Sequence, residues 1–124
     1  MASTANGAIK IADEVIKTIA GMATVDIAGV AGMSGGLAGG FAEMLGRKNI
    51  SKGIKVTVGE KETAIDIFVI LEYGARVPEV AANIQDRVKE SVERMTGLNV
   101  VEVNINVQGV VFPTESKELE RKVK

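Results

Sequence analysis

The stretch TAIDIFVILEYGARVPEVAANIQDRVKESVERMTGLNVVEVNINVQ, residues 63–108, changes its hydrophobic period twice. At its start Ile65, Ile67, Val69 and Leu71 share one side, and Asp66, Phe68, Ile70 and Glu72 share the other. That is the two-residue period of a strand with one apolar face and one mixed face. From Val77 the period lengthens. Val77, Ala81, Ile84, Val88, Ser91 or Val92, and Met95 form one helical stripe, with Glu79, Asn83, Asp86, Lys89, Glu90 and Glu93 opposite. Pro78 suits a first helical turn, where its missing N–H costs nothing. Gly97 suits the left-handed position after the last turn, with Leu98 placed to close the cap. Then Val101, Val103, Ile105 and Val107 alternate with Glu102, Asn104, Asn106 and Gln108. The stretch therefore reads strand, helix, strand.

Upstream, Ile54, Val56 and Val58 alternate with Lys55 and Thr57, and the polar turn Gly59–Glu62 is of hairpin length. Further back, Ile11, Val15, Ile19 and Met22 or Ala23 recur at helical spacing, with Ile16 and Ala20 widening the stripe. Asp13 and Glu14 suit a helix's first turn. Ala8–Ile11 reads as a short edge strand, and Val25–Met33 as a strand whose phase breaks at Gly29, the mark of a bulge or a close backbone approach. The sum is an α+β two-layer sandwich, two helices packed on one face of a three- to four-stranded mixed sheet. Its far face carries Asp66, Glu72, Asn104, Asn106 and Gln108 with Phe68 and Ile70 among them, and is where a partner is expected.

Residues 1–113 form one domain, and 114–124 (TESKELERKVK) a charged tail dispensable for folding. Between the elements lies SGGLAGGFAEMLGRKNISKG, residues 34–53, long for a loop in a compact domain. Leu37, Phe41 and Met44 or Leu45 would share one face if it became helical. The segment 35–46 is expected to order only against another subunit or a partner. The uncharged run Ile27–Ala42 has sixteen residues, six of them Gly. A membrane span needs about 20 apolar residues, so no direct span is read there.

Composition excludes several functions. With no His and no Cys, the common triads, thiolate chemistry and zinc sites have no residues to build on. Asp66 and Glu72 lie six residues apart on one strand, about 20 Å at strand rise, too far to work as a pair. The spacing from Gly35 to Gly40 matches a phosphate loop, but Phe41 and Ala42 replace its Lys and Ser/Thr. A net charge of −1, three Phe, one Tyr and no Trp leave neither the basic footprint nor the stacking platform of a nucleic-acid binder. No enzyme, no cofactor and no metal is expected. Tyr73 and Arg76, where the central strand hands over to the second helix, are types enriched at contact hot spots.

Four stretches in order resemble the alkaline-shock protein family, the envelope stress-response proteins of Gram-positive bacteria. They are GAIKIADEVI (7–16), IAGVAGM (27–33), KGIKVTV (52–58) and YGARVPEVA (73–81), the last running on through MTGL (95–98) to VEVNINVQGV (101–110). The resemblance implies a non-enzymatic accessory protein. It would be cytoplasmic, and peripheral at the inner face of the membrane through a membrane-anchored partner. The candidate contact residues for self-association and partner binding are Leu37, Phe41, Leu45, Phe68, Tyr73 and Arg76. The alternative is a lipid- or acyl-binding module, with Met22, Met33, Met44 and Met95 as an adaptable apolar lining.

Overall fold

The computed structural model describes residues 2–4, 6–34, 51–60 and 62–112. Leu37, Phe41, Met44 and Leu45 of the glycine segment, and the tail 114–124, lie outside them. The elements run β1 (Ala2–Thr4), β2 (Gly7–Ile9), α1 (Asp13–Val25), β3 (Val30–Met33), β4 (Ile54–Val58), β5 (Glu62–Glu72), α2 (Val77–Thr96) and β6 (Asn99–Val111).

β5 is the axis of the main sheet. Along one edge it pairs with two strands end to end, both antiparallel. β4 takes residues 63–67 and β3 takes residues 69–71. Along the other edge it pairs over its whole length with β6, in parallel. The sheet is therefore mixed, and α1 and α2 pack on one face of it, so the α+β two-layer sandwich expected from the periodicity is the fold. The helix side of β5 (Thr63, Ile65, Ile67, Val69, Leu71) is almost wholly buried. It meets Ile16, Ile19, Ala20 and Ala23 of α1 and Val80, Ile84, Val88 and Val92 of α2 in one continuous core. Among the described residues no aromatic ring belongs to this core; β-branched aliphatics fill most of it, as suits residues packed on a pleated surface.

Four sequence expectations shift. α1 runs on through Val25, so the following strand is only Val30–Met33. The apolar stripe of α1 is centred on Ile16, Ile19, Ala20 and Ala23, while Val15 and Met22 are exposed, because the periodicity was phased from Ile11, which precedes the helix. The strand expected at Ala8–Ile11 is Gly7–Ile9, and it pairs with β1 in a separate two-stranded sheet instead of edging the main one. On α2 the buried row is Val80, Ile84, Val88 and Val92; Val77 and Met95, at its two ends, face solvent. Gly97 does end the helix in the left-handed conformation, φ +76°, its N–H donating to the Glu93 carbonyl at 2.9 Å.

Gly29 explains the broken phase before β3. Its φ is +98°, and a Cβ there would lie 2.9 Å from Val80 Cγ2. The glycine lets the chain pass under α2 while its carbonyl accepts the Glu72 N–H at 2.8 Å.

Two outcomes test this packing. Ile84→Ala, which empties a fully buried site, is expected to cost about 2–5 kcal/mol in urea melts, and the exposed Glu90→Ala under about 0.5 kcal/mol. Thr63 is fully buried and its Oγ1 has no hydrogen-bond partner. An unsatisfied buried hydroxyl costs about 1–3 kcal/mol. The near-isosteric Thr63→Val is therefore expected to raise stability by about 1 kcal/mol in the same melts.

Candidate functional site

The sheet face away from the helices is built from alternate residues of three strands. β4 supplies Lys55 and Thr57, β5 supplies Ala64, Asp66, Phe68, Ile70 and Glu72, and β6 supplies Glu102, Asn104, Asn106, Gly109 and Val111. The expected mixture of polar groups with Phe68 and Ile70 is there, with one correction. β6 advances two residues for one of β5 at Val101 and again at Gln108. The second bulge puts Gly109, not Gln108, beside Ile70. The first takes Val101 out of the helix-facing row, where Val100 is buried in its place.

Short polar links tie this face together. Asn104 Nδ2 donates to Asp66 Oδ1 at 2.8 Å. Asn106 Nδ2 reaches the Ile67 carbonyl at 3.4 Å. Lys55 is the register partner of Asp66, yet its ammonium lies over the Phe68 ring, 5.4 Å from the centroid. Asp66 is thus paired by the Asn104 amide and not by the lysine across from it. Phe68 is half-buried, while Ile70, with Gly109 beside it, is 2% exposed.

Tyr73 stands just past the end of β5, 63% exposed, and stacks on Phe112 with centroids 4.8 Å apart. Phe112 and Val110 are themselves about half exposed, so the ends of β5 and β6 carry an apolar patch. Phe112 is the partner that the strand pattern did not reveal. Gly74, next in the chain, takes φ +97° in the turn after β5. Arg76 projects into solvent and only grazes Glu79 at 4.0 Å. Phe68 and Tyr73 therefore sit near β5, whereas Arg76 stands apart.

The outer edge of β6 is treated unevenly. Val100 donates its N–H to Glu93 Oε2 at 2.9 Å, and its carbonyl accepts from Lys89 Nζ at 2.7 Å. Lys89 also bonds Glu93 Oε2 at 3.1 Å, which closes a ring of three contacts. One turn back, Gln85 Nε2 donates to the Val103 carbonyl at 3.0 Å. Gln85, Lys89 and Glu93 form an i, i+4, i+8 row on α2 that takes the place of a neighbouring strand. The Val100 hydrogen bond, then the Lys89 ammonium, hold the Glu93 carboxyl below the usual carboxylate range.

Among the described residues no group of three or more His, Cys, Asp or Glu converges to hold a metal. A hollow of about 360 Å³ beside the start of β3, lined by Asp26, Asn83, Asp86, Arg87 and Glu90, holds carboxylates and a guanidinium. Arg87 Nη1 there pairs with Asp26 Oδ2 at 3.3 Å. The described methionines do not form a common lining. Met22 and Met95 face solvent and Met33 is in the core.

With the geometry in hand, comparison with known proteins bears on its use. Residues 1–112 match the model of the alkaline shock protein 23 family, described as of cell envelope-related function. The protein YqhY of Bacillus subtilis (strain 168) is 37% identical over 114 residues, covering 92% of this chain and 84% of that one. A stress response regulator gls24 homolog of Streptococcus pyogenes is 33% identical over 128 residues, covering 99% of this chain and 72% of its own. Among solved structures, a MamM CTD aligns over 79% of this chain and 98% of its own, at 11% identity and a TM-score of 0.49.

The ring on Val100 makes a pH-dependent prediction. Because the folded pKa of Glu93 is depressed, its contribution is complete above the ordinary Glu range and is lost as pH falls through the folded value. Glu93→Gln is therefore expected to lower stability at neutral pH, with the gap to the wild type closing on acidification. Urea melts at a series of pH values check this; a gap constant with pH would remove the electrostatic role.

Proposed function

The chain belongs to the alkaline shock protein 23 family, of cell envelope-related function, and we propose from this that it is a non-catalytic accessory protein of the envelope stress response, working by contact. It associates with itself and binds a membrane-anchored protein that holds it at the inner face of the membrane from the cytoplasmic side. Among the described residues no helix is long and apolar enough to cross a membrane, so the membrane link is assigned to the partner. The name of the Streptococcus pyogenes relative, a stress response regulator, supports the process.

The observation that carries the reading is the open sheet face. A face without a helical cover is common in antiparallel sheets when it is wholly polar. Here Phe68 stands half-buried in the middle of it, its ring against Lys55, and the exposed Tyr73–Phe112 stack lies where β5 and β6 end. Aromatic anchors in a polar surround are the usual composition of a protein contact.

Phe68→Ala tests the role of the face. A fluorescent fusion of the wild type in a Gram-positive cell is expected to line the envelope. The variant, with its melting temperature within a few degrees of the wild type, is expected to spread through the cytoplasm. A wild type spread evenly, or a variant that still lines the envelope, would overturn the reading.

A further inference from the structure

β6 is a thirteen-residue strand with β5 on one side and, among the described residues, no strand on the other. Its hydrogen bonds fix which main-chain groups face outward. Val100 and Val103 turn theirs to α2, whereas the Val111 carbonyl accepts the Tyr73 N–H and so faces β5. In a strand the N–H and C=O of one residue point the same way, and successive residues alternate. Past the bulge at Val101 the outward residues are Val103, Ile105 and Val107, and past the bulge at Gln108, Val110.

The caps on this edge stop partway for a reason visible in α2. The row Glu93, Lys89, Gln85, continued toward the start of the helix, becomes Ala81 and Val77. Neither has a hydrogen-bonding side chain. The outward N–H and C=O of Ile105, Val107 and Val110 accordingly have no partner among the described residues. Exposed strand edges are normally blunted with charge, above all Lys. From Val103 to Phe112 the sequence is VNINVQGVVF, without a charged residue.

We infer that this open half-edge, Ile105–Val110, is a strand-pairing site for a second copy of the chain, joining two sheets into one. The inference rests on the self-association proposed above and names its surface. Three features favour a second copy over another occupant. The stretch is uncharged, so two copies bring no like charges together and offer a foreign strand no charge to select it. A two-fold pairing is antiparallel and self-complementary. Centred near Asn106, it sets Ile105 of one chain against Val107 of the other. The same register carries the capped Val100 past the end of the second copy's strand, which closes at Val111. The exposed Val110, Phe112 and Tyr73 flank the junction with apolar surface.

The test is sedimentation and light scattering over a concentration series, joined to amide hydrogen exchange. The variants are Asn106→Lys, which places a charge beside its own counterpart on the open face, and Val107→Pro, which removes an outward N–H and leaves the β5 ladder intact. Glu90→Lys, on the outer side of α2, is the control. The wild type and the control are expected to rise from 13.0 kDa toward twice that mass. Both edge variants, with unchanged circular dichroism, are expected to need at least tenfold higher concentration. The amides of Ile105 and Val107 are expected to gain protection only in the dimer. If Val107→Pro does not fold, Asn106→Lys and the exchange pattern decide. Folded edge variants that dimerise like the wild type, or a dimer whose Ile105 and Val107 amides exchange freely, would overturn the edge and leave self-association standing. A wild type at 13.0 kDa throughout would overturn both.

Discussion

Every strand of the main sheet is hydrogen-bonded to β5, and the fold depends on how its two edges are filled. Eleven residues on two edges present far more donors and acceptors than a four- or five-residue strand can satisfy, and buried peptide groups left unpaired are costly. The chain solves this asymmetrically. On one edge two short strands, β4 and β3, meet end to end. On the other, one long strand, β6, runs the full length in parallel. A parallel neighbour directly after β5 requires a crossover long enough to return the chain to its starting end. Helix α2, twenty residues long, is that crossover, and its length matches an eleven-residue strand.

This arrangement gives α2 two jobs on two faces. Val80, Ile84, Val88 and Val92 press into the sheet. Gln85, Lys89 and Glu93, one position further round, reach the edge that the crossover has just created. The second job would look dispensable in the sequence, since a run of charged residues on a helix normally signals a solvated face. The position of Val100 decides otherwise, because both its main-chain groups are taken by one lysine and one glutamate four residues apart. Such a pair on an exposed helix adds a few tenths of a kcal/mol. Here the same pair also satisfies a peptide group that would otherwise face water or another chain.

The legible part of the fold was the part set by periodicity within one element. The alternation of Ile65 to Leu71, the row through Ile84 and Val88, the Gly59–Glu62 turn and the glycine stop at residue 97 all stand as read. What failed were features fixed by neighbours. The phase of α1 depends on where the helix begins, and a stripe containing both Val15 and Ile16 does not choose between them until the core does. The bulges at Val101 and Gln108 are invisible in a clean alternation such as VEVNINVQ, because they express the mismatch between a coiling strand and its partner. The same blindness covers the pairing of Tyr73 with Phe112, thirty-nine positions apart, brought together only by the parallel register of β5 and β6. Of the candidate contact residues, Phe68 and Tyr73 stand out in the sequence because each interrupts a pattern, an aromatic among polar alternates and an aromatic at a turn.

The open face and the open edge are independent surfaces, and this follows from strand geometry. Side chains leave a sheet perpendicular to its plane, while main-chain donors and acceptors lie within it. Asn104 and Asn106 turn their main-chain groups to β5 and their side chains to the face; Ile105 and Val107 turn their main-chain groups outward and their side chains to the helices. A partner seated on Phe68 therefore uses none of the groups that strand pairing at Ile105–Val110 would use. Extending the sheet through the edge would also place two such faces side by side in one plane, doubling the surface offered without altering either. The fold thus keeps the hydrogen-bonding groups of its edge apart from the side chains of its face.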